Sequence, residues 1–252
     1  MADLAIHRAL ITGGGSGVGA VMARMLADAG VKVAIAGRRS DVLAEVALHE
    51  NITAIVADVT DETSVRDMYA AMLAEIGAPD LVIANAGMAE SAPIGKTSVD
   101  LWKRTIDVNL TGTFLTFREG LAVMDKAKPG RLISIASTAG LKGYAYVTAY
   151  CAAKHGVIGL VEGMAAELAS SSVTVNAVCP GFMETPMLEK SVENIVAKTG
   201  MSMDAARASL AKINPQNRFI QPDEVANTVM WLCSPHAASI TGQAISVSGG
   251  EV

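Results

Sequence analysis

Apolar residues along this chain fall into short unbroken runs, separated by longer stretches in which they recur every three or four positions. The runs are RALIT (8–12), KVAIAG (32–37), ITAIVAD (52–58), DLVIANAG (80–87), RLISIAS (131–137), VTVNAVCPG (173–181) and GQAISVSGG (242–250). Runs that are continuous instead of alternating predict strands buried on both faces. Helical spacing is found in AVMARMLADAG, with Val21, Met25, Leu26 and Ala29 at helical intervals, and at about 40–49, 61–77, 98–126, 148–170 and 222–234. Thr97, three residues before Asp100, marks one helix start, and Pro222 with Asp223 and Glu224 opens another. Strand and helix alternate regularly, which predicts one α/β domain over 1–252: a doubly wound parallel sheet of about seven strands with helices on both faces. The segment 186–214 is helical in pattern but lies between two strands that need only a crossover. It reads equally as a lid and as a surface excursion.

Composition narrows the function. The chain has 252 residues, 51% hydrophobic and 18% charged, enough for a large core. A net charge of −5 without a basic run speaks against nucleic acid or an anionic membrane surface and favours a small-molecule partner. No apolar run approaches the roughly 18 residues of a membrane span, and MADLAIHRALIT has no basic start or long apolar centre, so a cytoplasmic protein is expected. Cys151, Cys179 and Cys233 are widely spaced and odd in number, the pattern of buried reduced thiols and not of disulfides or a metal site.

The turn TGGGSGVGA (12–20) follows the first strand and opens the first helix, with five glycines between Gly13 and Gly19. Strand, glycine turn and helix aim backbone N–H groups and a positive helix end at one point, an arrangement suited to a phosphate. The turn by itself fits G-x-G-x-x-A, a methyltransferase-like G-x-G-x-G and T-G-x-x-x-G-x-G. A P-loop is excluded because Ala20 and Val21 stand where Lys and Ser or Thr are required. The second strand ends in Gly37-Arg38-Arg39, about where a dinucleotide-binding unit contacts its ribose. An acid there binds free ribose hydroxyls, whereas arginine pairs with a 2′-phosphate.

Tyr150 and Lys154 in YCAAK are one helical turn apart on one face, and an ammonium near a phenol is expected to lower the phenol pKa. Ser137 lies thirteen residues upstream, at the end of RLISIAS, where parallel sheets bind their ligands. His155 projects about 100° away from Lys154 and reads as packing or surface. Glu184, the one charge in PGFMETPM, is expected in solvent.

With these motifs the chain resembles, over essentially its full length, the short-chain dehydrogenases/reductases, whose fold is a Rossmann-type sheet. The matching residues are Thr12-Gly13-x-x-x-Gly17-x-Gly19, Asp58-Val59, Asn85-Ala86-Gly87, Asn109 in DVNL, Ser137, Tyr150-x-x-x-Lys154, and Pro180-Gly181 with Thr185. Ala84 stands where many members carry a further asparagine. The resemblance implies a nicotinamide-dependent oxidoreductase acting on a carbonyl or secondary alcohol. Tyr150 would be the general acid or base, Ser137 would bond the substrate oxygen, Lys154 would hold the cofactor ribose, and Asn109 would anchor a relay water. The implied cofactor set comprises Thr12, Gly13, Gly15, Ser16, Gly17, Val18, Gly19, Arg38, Arg39, Asp58, Val59, Asn85, Ala86, Gly87, Tyr150, Lys154, Pro180, Gly181 and Thr185.

Gly37, where NAD-using members commonly carry aspartate, and Arg38 beside it predict NADP(H) as the preferred cofactor, with NAD(H) still usable. The ending of the chain is similar to the 3-oxoacyl reductase and 3-hydroxyacyl dehydrogenase branch. Met88, Tyr144, Met183 and Met187 follow strand ends and predict a mainly apolar ketone or alcohol as substrate. A catalytically silent dinucleotide-binding sensor on the same fold is the alternative. Small and apolar residues around the 148–170 helix, with the pairing habit of the family, predict a homotetramer.

Overall fold

A computed structural model describes residues 4–252. Seven strands form one parallel sheet in the order β3-β2-β1-β4-β5-β6-β7: β1 (Arg8–Thr12), β2 (Lys32–Gly37), β3 (Ile52–Val56), β4 (Leu81–Ala84), β5 (Gly130–Ile135), β6 (Val173–Pro180) and β7 (Ala244–Val247). The strand order reverses between β1 and β4, which opens a crevice at their carboxyl ends.

Successive side chains on a strand point to opposite faces. Ala9 and Ile11 of β1 therefore join the core under α1 (Gly17–Asp28) and α9 (Pro222–Leu232), with Met22, Leu26, Val225 and Val229. Leu10 joins the opposite core with Met68, Met72, Phe117, Val157 and Val161. That second layer is built by α3 (Glu62–Glu75), α5 (Gly112–Val123) and α6 (Thr148–Glu167). The short α2 (Ser40–Val46) follows β2.

Several sequence expectations are corrected. β3 and β7 are edge strands and so lack cover on both faces: Val56 is 62% exposed, and every residue of β7 is half-buried. The core stripe of α1 runs through Met22, Ala23, Leu26 and Ala27, while Val21, Met25 and Ala29 are only half-buried. The single helix expected at 98–126 is α4 (Val99–Ile106), a π-helical turn at Asp107–Thr111, and α5. Its cap is Ser98 and not Thr97, because the Ser98 hydroxyl accepts the Leu101 N–H at 3.1 Å. α9 opens as expected, with Pro222 in its first turn and a reciprocal cap between Gln221 and Glu224.

The segment 186–214 contains α7 (Pro186–Thr199) and α8 (Met203–Ala211), which bury Leu188, Val192 and Ala206 with Phe219 in a small core of their own. No helix of the described residues is long and apolar enough to cross a membrane. All three cysteines are free and buried.

Candidate active site

The ends of β1 and β4 are stitched together by side chains. The Thr12 hydroxyl accepts the N–H groups of Asn85 and Ala86 at 3.1 and 3.2 Å, and the Asn85 amide donates to the carbonyls of Thr12 and Gly13 at 2.9 and 3.1 Å. The glycine turn is thereby held against Asn85-Ala86-Gly87. Backbone conformation and space together favour glycine along it. Gly13 and Gly17 have φ of +66° and +54°, a Cβ on Gly15 would lie 3.2 Å from Val42, and one on Gly19 would lie 2.3 Å from the Gly13 carbonyl oxygen. Ser16 makes no side-chain cap to α1, so the first N–H groups of the helix, which include that of Val18, are left for an anion. Thr185, the N-cap of α7, lies against Gly17, since a Cβ there would come 3.5 Å from its methyl group. These residues fit the pyrophosphate of a dinucleotide.

At the second strand's end Arg38 and Arg39 are exposed, and Arg38 lies 3.8 Å from the Asp58 carboxylate. Burial pushes the Asp58 carboxyl up, but hydrogen bonds from Thr60 and the Arg38 charge together hold it below the ordinary value. Val59 next to it is buried against Gly112.

Ser137, Tyr150, Lys154 and Asn109 gather on the other side of Gly87. Lys154 Nζ donates to the Ile135 carbonyl at 2.8 Å and lies 5.6 Å from the centre of the Tyr150 ring. A Cβ on Gly87 would meet Asn109 Oδ1 at 3.0 Å and Lys154 Nζ at 3.9 Å. Ser137 ends the β5 segment, where its Oγ accepts the Ala139 N–H at 3.1 Å. Asn109 is fully buried in the π turn. Its amide donates to the carbonyls of Met88 and Thr105, both at 2.9 Å, and its oxygen accepts the Met88 N–H at 3.2 Å. The extra backbone residue in such a turn is often found at functional sites. Here it carries the side chain that ties α4 to the loop after β4.

The expected lowering of the Tyr150 pKa is reversed. Burial pushes it up to about 12, against a smaller lowering through the Ser137 side chain, because Lys154 bonds a backbone carbonyl under the ring and not the phenol oxygen. Burial also pushes Lys154 down to about 8. The Tyr150 phenol is therefore held protonated.

Pro180 ends β6, and Gly181 continues it by donating to the Val247 carbonyl at 3.1 Å. Tyr144 meets Phe182 edge-on, with ring centres 6.2 Å apart. Met88 is half-buried and Met187 is 40% exposed at the start of α7. Met183 is half-buried, packs partly against the core under α9 and bridges to Ile220. Glu184 is not free in solvent: Arg207 of α8 pairs with both Glu184 and Glu189. Among the described residues His155 bonds only the Cys151 carbonyl, at 2.9 Å. Sequence reasoning missed Glu251, whose buried carboxylate pairs with Tyr144 and Lys142. Its only signal is an acid beside two glycines at the chain end.

Residues 7–195 match the family model for short chain dehydrogenase. The chain is 36% identical over 249 residues to putative ketoacyl reductase 1 of the granaticin polyketide synthase of Streptomyces violaceoruber, across 96% of this chain and 92% of that protein. It is also 36% identical to a D-beta-hydroxybutyrate dehydrogenase of Rhizobium meliloti, across 96% and 97% of the two chains. A crystal structure of a variant actinorhodin polyketide ketoreductase with NADPH superposes with a TM-score of 0.93 at 33% identity, covering 100% of this chain and 99% of that one. Likeness of this extent, in sequence and in fold, makes the chain a member of the short-chain dehydrogenase/reductase family, an oxidoreductase of CH–OH and C=O groups that works with a nicotinamide dinucleotide.

Proposed function

We propose that the chain reduces a mainly apolar ketone, or oxidises the matching secondary alcohol, with NADP(H) preferred and NAD(H) usable. The observation that carries the reading is the gathering of Ser137, Tyr150 and Lys154 at one end of β5, beside a glycine turn that fits a pyrophosphate. When bound, the nicotinamide supplies or accepts the hydride. The protein's part is to hold the oxygen and the proton. Ser137 Oγ and the protonated Tyr150 phenol are donors for the oxygen on which negative charge grows. Lys154 Nζ, 5.6 Å from the centre of the Tyr150 ring, is the group offered to the cofactor ribose. Asn109 keeps the loop after β4 in place against Lys154, a positioning role.

Exposed Arg38 and Arg39, with glycine at 37, support the NADP(H) preference, as does the NADPH named with the related ketoreductase. Met88, Met187, Phe182 and Tyr144 support an apolar substrate. A 3-oxoacyl or 3-hydroxyacyl compound is the class to which several relatives' names belong. We read 186–214 as a lid, supported by its separate core and by bonds from Asn194 and Lys198 of α7 across to Ser91. A homotetramer is supported by Trp102 and Phe114, each 41% exposed on α4 and α5, beside Ala152, Gly159 and Gly163 open on α6.

The test is absorbance at 340 nm with NADPH and a panel of cyclic and linear ketones. Loss of absorbance with an apolar ketone supports the reading. NADPH binding without turnover of any ketone or alcohol would support a silent sensor instead.

A further inference from the structure

The substrate side of the crevice holds an ion pair with a buried carboxylate that has no part in the proposed chemistry. Glu251, the last residue but one, has a side chain only 1% exposed. Its carboxylate pairs with Lys142, Nζ to Oε1 3.1 Å, and accepts from the Tyr144 hydroxyl. The ammonium is further occupied by the Glu251 carbonyl at 3.3 Å and by the Tyr144 ring face at 5.2 Å. The Tyr144 hydroxyl has Thr138, the neighbour of Ser137, as its second partner at 2.7 Å. Glu251 Oε2 has no hydrogen-bond partner and is pressed toward Gly181, where a Cβ would come within 3.1 Å of it. One carboxylate thus joins the chain end to the segments after β5 and β6, which flank the candidate oxygen-binding groups.

Four other cations near the crevice are committed elsewhere. Lys154 bonds Ile135, Lys198 bonds the Ser91 carbonyl, Arg207 pairs with two glutamates, and Arg104 pairs with Glu90. Lys190 is exposed on the face of α7 opposite Leu188 and Val192. Lys142, 37% exposed, is therefore the cation best placed to meet a substrate's anionic group, and Glu251 neutralises it.

We propose that Glu251 is a specificity-determining residue: by pairing with Lys142 it makes the crevice accept ketones that are neutral beside the carbonyl and turn away those carrying a carboxylate. The proposal rests on the ketone-reductase reading.

The experiment compares two ketones that share a reacting carbonyl, ethyl acetoacetate (neutral) and acetoacetate (anionic). The kcat/KM ratio of anion to ester is measured for the wild type, Glu251→Gln, Lys142→Met and the double variant. Glu251→Gln keeps the shape and releases the Lys142 charge, so the ratio should rise at least about tenfold, the scale of one charge-assisted contact. Lys142→Met leaves the Glu251 charge unbalanced, so the ratio should fall, and this variant carries the test if Glu251→Gln does not fold. The double variant should return close to the wild type. Where neither compound is turned over, the same ratio is read from their inhibition constants against a ketone that is. Turnover with a ratio unmoved in both single variants, or a rise retained in the double variant, would overturn the proposal alone. Absence of NADPH oxidation with every ketone would overturn the underlying reading together with it.

Discussion

Replacing Lys154 with methionine should make the cofactor-free protein more stable at neutral pH while abolishing turnover. Lys154 is 4% exposed, its ammonium has one hydrogen bond, to the Ile135 carbonyl, and its one titratable partner is the Cys179 thiol. Burial lowers its pKa from 10.5 to about 8. At 1.36 kcal/mol per pH unit, the folded chain carries this charge at a cost of roughly 3 kcal/mol at pH 7. Methionine has similar length without charge, and it gives up one hydrogen bond worth about 1 kcal/mol. The net gain is about 2 kcal/mol. Between pH 8 and 10.5 the unfolded chain keeps this proton while the folded chain has released it, so wild-type stability rises with pH across that window. The variant lacks the group, and its advantage should shrink above pH 8 and be gone by about pH 9.5. Urea denaturation at pH 7 and pH 9.5, followed by the fluorescence of Trp102 and Trp231, measures the difference. A variant less stable than the wild type at pH 7, or an advantage that stays constant between the two pH values, would show that the Lys154 charge does not destabilise the fold.

Three further outcomes are expected. A Cβ at Gly37 would make only ordinary contact with Leu43, at 3.6 Å, so Gly37→Asp/Arg38→Leu should fold and should shift the kcat/KM ratio of NADPH to NADH toward NADH by at least about tenfold; an unchanged ratio would make Arg38 a solvated side chain only. Gly19→Ala puts a methyl into the Gly13 carbonyl and should cost about 1–3 kcal/mol in denaturation and weaken NADPH binding, since the turn must open to admit it; wild-type stability would show that the turn yields. Sedimentation at micromolar concentration should give four times the 26.0 kDa chain mass, and Phe114→Glu on α5 should lower it; a wild-type monomer would remove the tetramer.

Much of the fold was legible because the central strands are covered on both faces, which leaves continuous apolar runs such as those of β1 and β5. What was not legible depends on partners distant in the chain. β3 and β7 carry apolar residues too, but only the sheet order makes them edges. The π turn before α5 is not legible in the spacing, because it widens one turn around Asn109 while Ile106, Asp107, Thr111 and Gly112 all keep right-handed helical backbone. Arg131, 2% exposed within β5, lies in a run expected to be buried, but the partners that satisfy its guanidinium, the carbonyls of Leu232 and Ser234 at and just after the end of α9, are a hundred residues away. In the candidate site, the Tyr150 and Lys154 spacing put both on one face as expected. The direction of the Tyr150 shift was missed because it is set by how deeply the phenol is covered, a property of the whole crevice. Glu251 was missed for a similar reason: its partners Lys142 and Tyr144 lie more than a hundred residues earlier.

In the proposed chemistry Tyr150 passes its proton to a ketone oxygen during hydride transfer. The most direct measurement is the single-turnover decay of 340 nm absorbance for NADPH bound to the wild type and to Tyr150→Phe, with a ketone that the wild type reduces and with NADPH affinity measured in parallel. Proton donation by Tyr150 gives decay in the wild type and a rate at least about a hundredfold lower in the variant, with the affinity for NADPH retained. Equal decay rates in the two proteins would contradict it.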